Sequence, residues 1–120
     1  MQELAARLDS LGHVTERVVE TPALAERGLG SAANLTVPEI EAALRDDPRH
    51  DAPPPGWKSD SDYCLPLDGA ESLMMAGRRV ADHLAATARP GWLTVHVGHG
   101  ASFRHACFHL SILDRAEIAR

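Results

Sequence analysis

Apolar residues recur at helical spacing at the start of the chain and again further along. In the first twelve residues they fall three or four positions apart, and Gly12 follows as a candidate C-cap. These positions are Met1, Leu4, Ala5, Leu8 and Leu11. A second helix is predicted after Thr36, a candidate N-cap whose capping-box partner is Glu39. Its predicted buried positions are Ile40, Ala43 and Leu44.

Two more helices are predicted in the second half of the chain. One begins near Ala70, and its apolar positions again share one helical face. They are Leu73, Gly77, Val80, Ala81 and Leu84. The last helix follows a turn at residues 98–102, and its predicted apolar face comprises Phe103, Ala106, Cys107 and Leu110. His105 and His109 lie off that face, so we expect them to be solvated.

Two short segments are predicted to be strands. Residues 92–97 (WLTVHV) are nearly all apolar or β-branched, as expected of a strand covered on both faces. Residues 17–20 (RVVE) are a shorter candidate. Because helices, loops and strands alternate along the chain, we predict an α/β fold. The proline-rich segment at residues 46–63 is predicted to be a long surface loop within one domain.

Composition excludes several classes of partner. The chain has 120 residues and 44% hydrophobic content, enough for one core. Its net charge is −5 and Lys58 is its only lysine, so we expect no nucleic-acid binding. The N-terminus is charged and amphipathic, unlike a signal peptide, and no apolar run is long enough to cross a membrane. Cys64 and Cys107 are too few for a disulfide framework, so we expect a cytoplasmic protein.

The turn at residues 98–102 (GHGAS) carries the strongest candidate chemistry. In open α/β sheets, ligands bind where strands end and helices begin. Backbone N–H groups at the start of a helix favour an anion. His99 lies between Gly98 and Gly100, where it could neutralise a phosphate oxygen or transfer a proton. The alternative is that His99 is simply a hydrogen-bonded turn residue.

Motifs in three segments, in this order, resemble the histidine phosphatase superfamily, which includes the cofactor-dependent phosphoglycerate mutases. LAERGLG (24–30) is similar to the segment that carries the acidic proton donor of that family, here Glu26. GAESL (69–73) is similar to the Glu-Ser pair before the last strand, here Glu71 and Ser72. VGHGASFRHACFHL (97–110) is similar to the second histidine motif. Its matching residues are His99, Gly100, Ser102 and Arg104.

The resemblance implies a fold, a reaction and a site. The fold is a three-layer αβα phosphoglycerate mutase-like fold with a small, mainly parallel sheet, lacking the first strand–helix unit. The reaction is phosphoryl transfer on a phosphorylated small molecule, with no cofactor. The implied catalytic residues are His99 and Glu26, and phosphate binding falls to His99, Gly100 and Ala101. The implied supporting residues are Arg27, Ser102, Arg104 and Glu71.

The nucleophilic histidine of that family, in an Arg-His-Gly motif after the first strand, has no counterpart here. His13 follows a glycine, and neither Arg49-His50 nor Arg104-His105 is followed by glycine or preceded by a predicted strand. We therefore expect that residues 1–120 form a single histidine phosphatase-like domain, incomplete on its N-terminal side. Such a domain would not turn over phosphate esters alone. It would also expose a sheet edge that could pair two copies.

Two other functions stay open. One is a non-catalytic module that binds an anion or a protein. The other is a histidine-rich metal site, since His96 and His99 are three residues apart and His105 and His109 are four apart. No carboxylate lies close to them in sequence, so we expect no metal. Simpler roles are also open for other residues: Glu26 pairing with a cation, Glu71 and Ser72 capping a helix, and Arg104 pairing with a carboxylate.

Overall fold

Five α-helices make up most of the regular structure. The computed structural model describes residues 1–120. The helices are α1 (Gln2–Ser10), α2 (Val37–Asp46), α3 (Leu73–Thr87), α4 (Gly100–His109) and α5 (Arg115–Ile118). Short 3₁₀ turns lie at Pro22–Leu24, Gly30–Ala32 and Trp57–Ser59. The molecule is elongated, with principal extents of 58 × 30 × 22 Å.

The chain forms no β-sheet, so the predicted α/β fold is wrong, and so is the αβα fold implied by the resemblance. The single β-bridge pairs Leu29 with Ala70. Residues 17–20 and 92–97 lie outside any helix or sheet. Leu93, expected to be covered on both faces, is 88% exposed. A strand needs neighbours that accept its hydrogen bonds and cover its side chains, and β-propensity does not supply them.

The first helix has the predicted spacing and C-cap, yet it buries no residue. Gly12 adopts a φ of +86°, which favours glycine. The N–H groups of Gly12 and His13 donate to the carbonyls of Asp9 and Leu8 at 3.0 and 3.1 Å, the Schellman pattern. Apolar periodicity thus identified the helix correctly, but no residue of its apolar face is buried, and only Ala5 and Leu8 are half-buried.

The second helix and the loop after it form one of two hydrophobic clusters. The capping box at its start is confirmed: the N–H of Thr36 donates to the Glu39 carboxylate at 2.7 Å, and the reciprocal contact from the backbone N–H of Glu39 to the Thr36 side chain is also present. Ile40 and Leu44 are buried as predicted, whereas Ala43, also predicted to be buried, is exposed. Trp57, from the proline-rich segment, is only 3% exposed. That segment therefore contributes to the core and is not merely a surface loop. The buried members of the cluster are Ala32, Ile40, Leu44, Trp57 and Leu65.

The second cluster lies between α3 and α4 and positions the candidate site. Four residues of the predicted face of α3 are buried: Leu73, Gly77, Val80 and Ala81. Leu84 is only half-buried, and Ala76, which was not predicted, is buried as well. The predicted face of α4 is only partly right, because Leu110 is exposed while Ser102, His105 and Ala106 are buried. The close approach of the two helices depends on Gly77. A Cβ at this position would lie 2.4 Å from the Cβ of His105 and 2.6 Å from its backbone carbon.

We expect Gly77→Ala to lower the free energy of unfolding by about 1–3 kcal/mol, because the added methyl group meets backbone atoms that cannot move away. Helix propensity alone predicts the opposite sign, a gain of about 1 kcal/mol. Urea denaturation measures the difference. The control is Ala85→Gly at an exposed position of the same helix, which should cost only the propensity difference. A Gly77→Ala variant more stable than the parent would contradict the close packing of α3 on α4.

Candidate functional site

His99 is the N-cap residue of α4, and its imidazole is 55% exposed. Phe103 is the first residue of α4 whose backbone N–H has a backbone acceptor. It donates to the carbonyl of His99 at 3.0 Å. The N–H groups of Gly100, Ala101 and Ser102 have no acceptor within the chain. Unpaired N–H groups in the first turn of a helix carry partial positive charge. The imidazole of His99 therefore stands at a helix start that favours an anion.

Glu26 lies beside this turn, and its two carboxylate oxygens have different surroundings. Oε1 accepts hydrogen bonds from the N–H of Arg27 and the hydroxyl of Ser102, each at 2.9 Å. Oε2 lies 3.8 Å from Nδ1 of His99. Burial raises the pKa of Glu26, but the two hydrogen bonds and the positive charges of a protonated His99 and of Arg27 outweigh it, so that pKa lies below its ordinary value. Glu26 is therefore an anion at neutral pH.

Arg79, which sequence reasoning missed, holds the segment that carries Glu26. Its Nη1 donates to the carbonyls of Pro22, Ala23 and Ala25 at 3.2, 2.9 and 3.1 Å. Its Nη2 donates to the carbonyl of Glu26 at 3.3 Å. The planar guanidinium has five donors in a fixed geometry, so a single side chain can bind several carbonyls of one turn. Arg79 thereby determines the path of the backbone up to Glu26.

Glu71 completes this arrangement. Its Oε1 accepts from Nε of Arg79 at 2.9 Å, and its Oε2 accepts from Nη2 at 2.7 Å and from the N–H of Gly28 at 2.9 Å. Hydrogen bonds from Arg79 lower the pKa of Glu71; burial opposes this, and the Gly28 N–H adds to the lowering. Glu71 thus acts through Arg79 and Gly28 on the position of Glu26. Glu71 and Arg79 are eight positions apart in the sequence. The rules for side-chain pairs on a helix cover only spacings of three or four residues.

The other predicted supporting residues lie in different surroundings. The guanidinium carbon of Arg27 is 5.5 Å from the ring centre of Trp57, and burial lowers the pKa of Arg27. Arg104 is exposed and makes no ion pair or hydrogen bond, so its expected carboxylate partner is absent. Ser72 caps α3, because its hydroxyl accepts the N–H of Met75 at 3.1 Å. The structure brings Glu26, His99 and Ser102 together, whereas Arg104 makes no hydrogen bond or ion pair with any of them.

The expectation that His105 is solvated is wrong. This residue is 3% exposed and both ring nitrogens have partners. Its Nδ1 is 2.8 Å from the carbonyl of Ala101, which can only accept, so Nδ1 carries the hydrogen. Nε2 forms the second hydrogen bond, at 2.9 Å to the hydroxyl of Ser61, and in the neutral ring it is the acceptor. His109, only partly exposed, is bound through Nε2 to the carbonyl of Met74 at 2.8 Å.

His96 lies against the edge of His83 with ring centres 5.7 Å apart. Burial lowers the pKa of His96, and the neighbouring His83 adds to this effect. No three histidine, cysteine, aspartate or glutamate side chains are placed to hold a metal ion together.

Comparison with protein-family models, with curated proteins and with solved structures finds no match to this chain. The resemblance to the histidine phosphatase superfamily therefore rests on the sequence motifs alone. None of the helices combines the length and the hydropathy that a membrane span requires.

We expect Arg79→Met to lower the free energy of unfolding by about 2–3 kcal/mol, because it leaves Glu71 and several carbonyls without their donor. Urea denaturation measures this loss. Arg79→Lys should recover only part of it, because an ammonium group lacks the planar fork. Arg78→Met is the matched control: Arg78 is the next residue of α3, its side chain is 60% exposed, and its only ion pair, with Asp82, is at 4.0 Å. Equal losses in the Arg78 and Arg79 variants would contradict the role assigned to Arg79.

Proposed function

We propose that the start of α4 binds the phosphate group of a small phosphate ester, with His99 and Glu26 as the pair that holds protons beside it. One observation carries this proposal: the imidazole of His99 and the carboxylate of Glu26 converge, at 3.8 Å, on a helix start whose first N–H groups have no acceptor. The N–H groups supply the anion site. The two titratable side chains supply proton donors and acceptors at its rim.

The negative charge of Glu26 determines whether its carboxyl group must be protonated when phosphate binds. An ionised carboxylate beside a phosphate dianion is repelled, and the repulsion raises the pKa of the carboxyl group. Binding of phosphate is therefore coupled to uptake of a proton. A proton held on Glu26 next to a bound ester is suitably placed to pass to the leaving oxygen, which is the role that the resemblance implies for this residue.

Phosphoryl transfer needs a nucleophile that these residues do not supply. Arg49 of the first Arg-His pair is engaged with Asp47 through hydrogen bonds of 2.8–3.2 Å. His105 of the second pair is buried with both ring nitrogens occupied. Our proposal is therefore binding of a phosphate ester without turnover by this chain alone. A non-catalytic anion-binding role would use the same site.

Titration of ¹⁵N-labelled protein with inorganic phosphate and with phenyl phosphate tests the site. We expect the amide signals of residues 100–102 to move, because their N–H groups are the proposed donors. His99→Ala should weaken binding roughly tenfold, the equivalent of about 1.4 kcal/mol. His13→Ala is the control, since His13 is an exposed histidine just beyond α1. If the signals stay fixed, or His99→Ala binds as the parent does, the phosphate site is wrong. If the parent hydrolyses phenyl phosphate and His99→Ala does not, the chain turns over phosphate esters by itself, and the proposal of binding without turnover is wrong.

Glu26→Gln should bind phosphate more tightly than the parent at about pH 7, because it removes the carboxylate that repels the anion. The advantage should shrink as the pH falls towards about 5, since the parent then binds phosphate with Glu26 increasingly protonated. Calorimetry at several pH values measures both effects, and Glu20→Gln, at an exposed glutamate, is the control. Weaker binding by Glu26→Gln at every pH would show that Glu26 does not face the bound anion.

A further inference from the structure

Ser61 and His105 form a hydrogen-bonded pair outside the proposed phosphate site. Ser61 lies in the loop between the Trp57–Ser59 turn and α3, and His105 lies in α4. The hydroxyl oxygen of Ser61 is 2.9 Å from Nε2 of His105, although the two residues are 44 positions apart in the sequence. At this separation a base can take the proton of a nucleophilic hydroxyl group.

The tautomer of His105 suits the role of a base. Its Nδ1 is 2.8 Å from the carbonyl of Ala101, so Nδ1 carries the hydrogen of the neutral ring. The hydroxyl of Ser61 therefore donates to the lone pair of Nε2. A nucleophile, a base and a third group that orients the base are the parts of a hydrolytic serine site. Here the carbonyl of Ala101 is the third group.

The two side chains differ in their access to solvent. His105 is only 3% exposed and packs against Gly77 of α3, whereas Ser61 is partly exposed. The base is thus shielded from water and held in one position. The hydroxyl of Ser61 remains open to a small substrate from solvent.

The backbone around Ser61 is fixed on both sides. Its carbonyl accepts the N–H of Met74 at 3.0 Å. The carboxylate of Asp60 accepts the N–H groups of Asp62 and Tyr63 at 2.9 and 3.2 Å. The N–H of Ser61 itself has no acceptor within the chain. In many serine hydrolases the N–H of the nucleophilic residue donates to the oxyanion of the tetrahedral intermediate, and Ser61 has such a donor free.

We propose that Ser61 and His105 are a nucleophile and its base, and that they cleave uncharged carboxylic esters. The oxygen of Ser61 attacks the ester carbonyl carbon while Nε2 of His105 takes the hydroxyl proton. The tetrahedral intermediate then collapses, the bond to the leaving oxygen breaks, and Nε2 gives the proton to that oxygen. Water attacks the acyl group on Ser61 in the same way, which releases the carboxylic acid and restores both side chains.

Charge near Ser61 favours an uncharged substrate. Asp60 and Asp62 flank Ser61, and only Asp62 forms an ion pair, with Arg115 at 2.7 Å. The remaining negative charge of Asp60 repels an anionic ester. The proposal does not rest on phosphate binding, because neither Ser61 nor His105 forms a hydrogen bond or ion pair with the site residues Glu26 and His99.

Labelling with a fluorophosphonate probe, followed by mass spectrometry of peptides, tests the nucleophile. The probe forms a bond to an activated serine oxygen and loses fluoride, and it reacts far more slowly with an ordinary hydroxyl. We expect an adduct on Ser61 and none in Ser61→Ala. The parent should also hydrolyse 4-nitrophenyl acetate faster than Ser61→Ala, whose other histidines supply only background. Ser59→Ala is the matched control: Ser59 is exposed and two residues away, so this variant should react as the parent does.

His105→Gln tests the base. Glutamine can keep a hydrogen bond to Ser61 but cannot take its proton, so labelling and hydrolysis should slow about 100-fold. His109→Gln makes the same change in the same helix, at a ring bound to the carbonyl of Met74, and should leave both rates unchanged. Circular dichroism verifies that each variant folds.

The parent alone decides the proposal if His105→Gln does not fold. Absence of an adduct on Ser61, or labelling of Ser59 as fast as of Ser61, overturns the proposal and leaves the Ser61–His105 hydrogen bond as a structural contact. Hydrolysis that Ser61→Ala retains in full overturns it as well. A folded His105→Gln variant that reacts as the parent does overturns the role of His105. Phosphate titration of Ser61→Ala should match the parent, which separates this outcome from that of the phosphate site.

Discussion

The bidentate ion pair between Arg79 and Glu71 is the interaction on which the candidate site depends. The segment from Thr21 to Gly28 has little regular structure of its own, and its carbonyls would otherwise turn to water. Arg79 binds four of these carbonyls, and Glu71 binds the N–H of Gly28 at the far end of the segment. Because both side chains are about three-quarters buried, their mutual hydrogen bonds replace most of their lost contacts with water.

The position of α4 against α3 supplies the other half of the site. Gly77 lets α4 approach so closely that His105 and Ala106 are buried against α3. The same contact places Ser102 where its hydroxyl reaches Glu26, and it places His99 at the rim. Glu26 thus receives one hydrogen bond from its own segment, through Arg27, and one from α4. The site is the junction of two separately positioned elements.

The lack of backbone partners explains the failure of the predicted sheet. Residues 92–97 have the composition of a strand, but they form none in the structure. A sheet requires a second strand at hydrogen-bonding distance, and the structure brings none to this segment. As a result, the side chains of Leu93, Val95 and Val97 are left exposed.

Local signals in the sequence determined the helices and their ends. Thr36 with Glu39, Ser72, and Gly12 mark helix ends through hydrogen bonds that span only a few residues, and such bonds form wherever the chain is helical. The sequence motifs likewise predicted Glu26 and His99 as site residues, and in the structure Oε2 of Glu26 lies 3.8 Å from Nδ1 of His99. Tertiary structure alone decided the absence of a sheet, the burial of His105 and the part played by Arg79. Each of these depends on contacts between residues distant in the chain, such as Ser61 with His105 or Arg79 with Ala23, and residue spacing carries no information about such contacts.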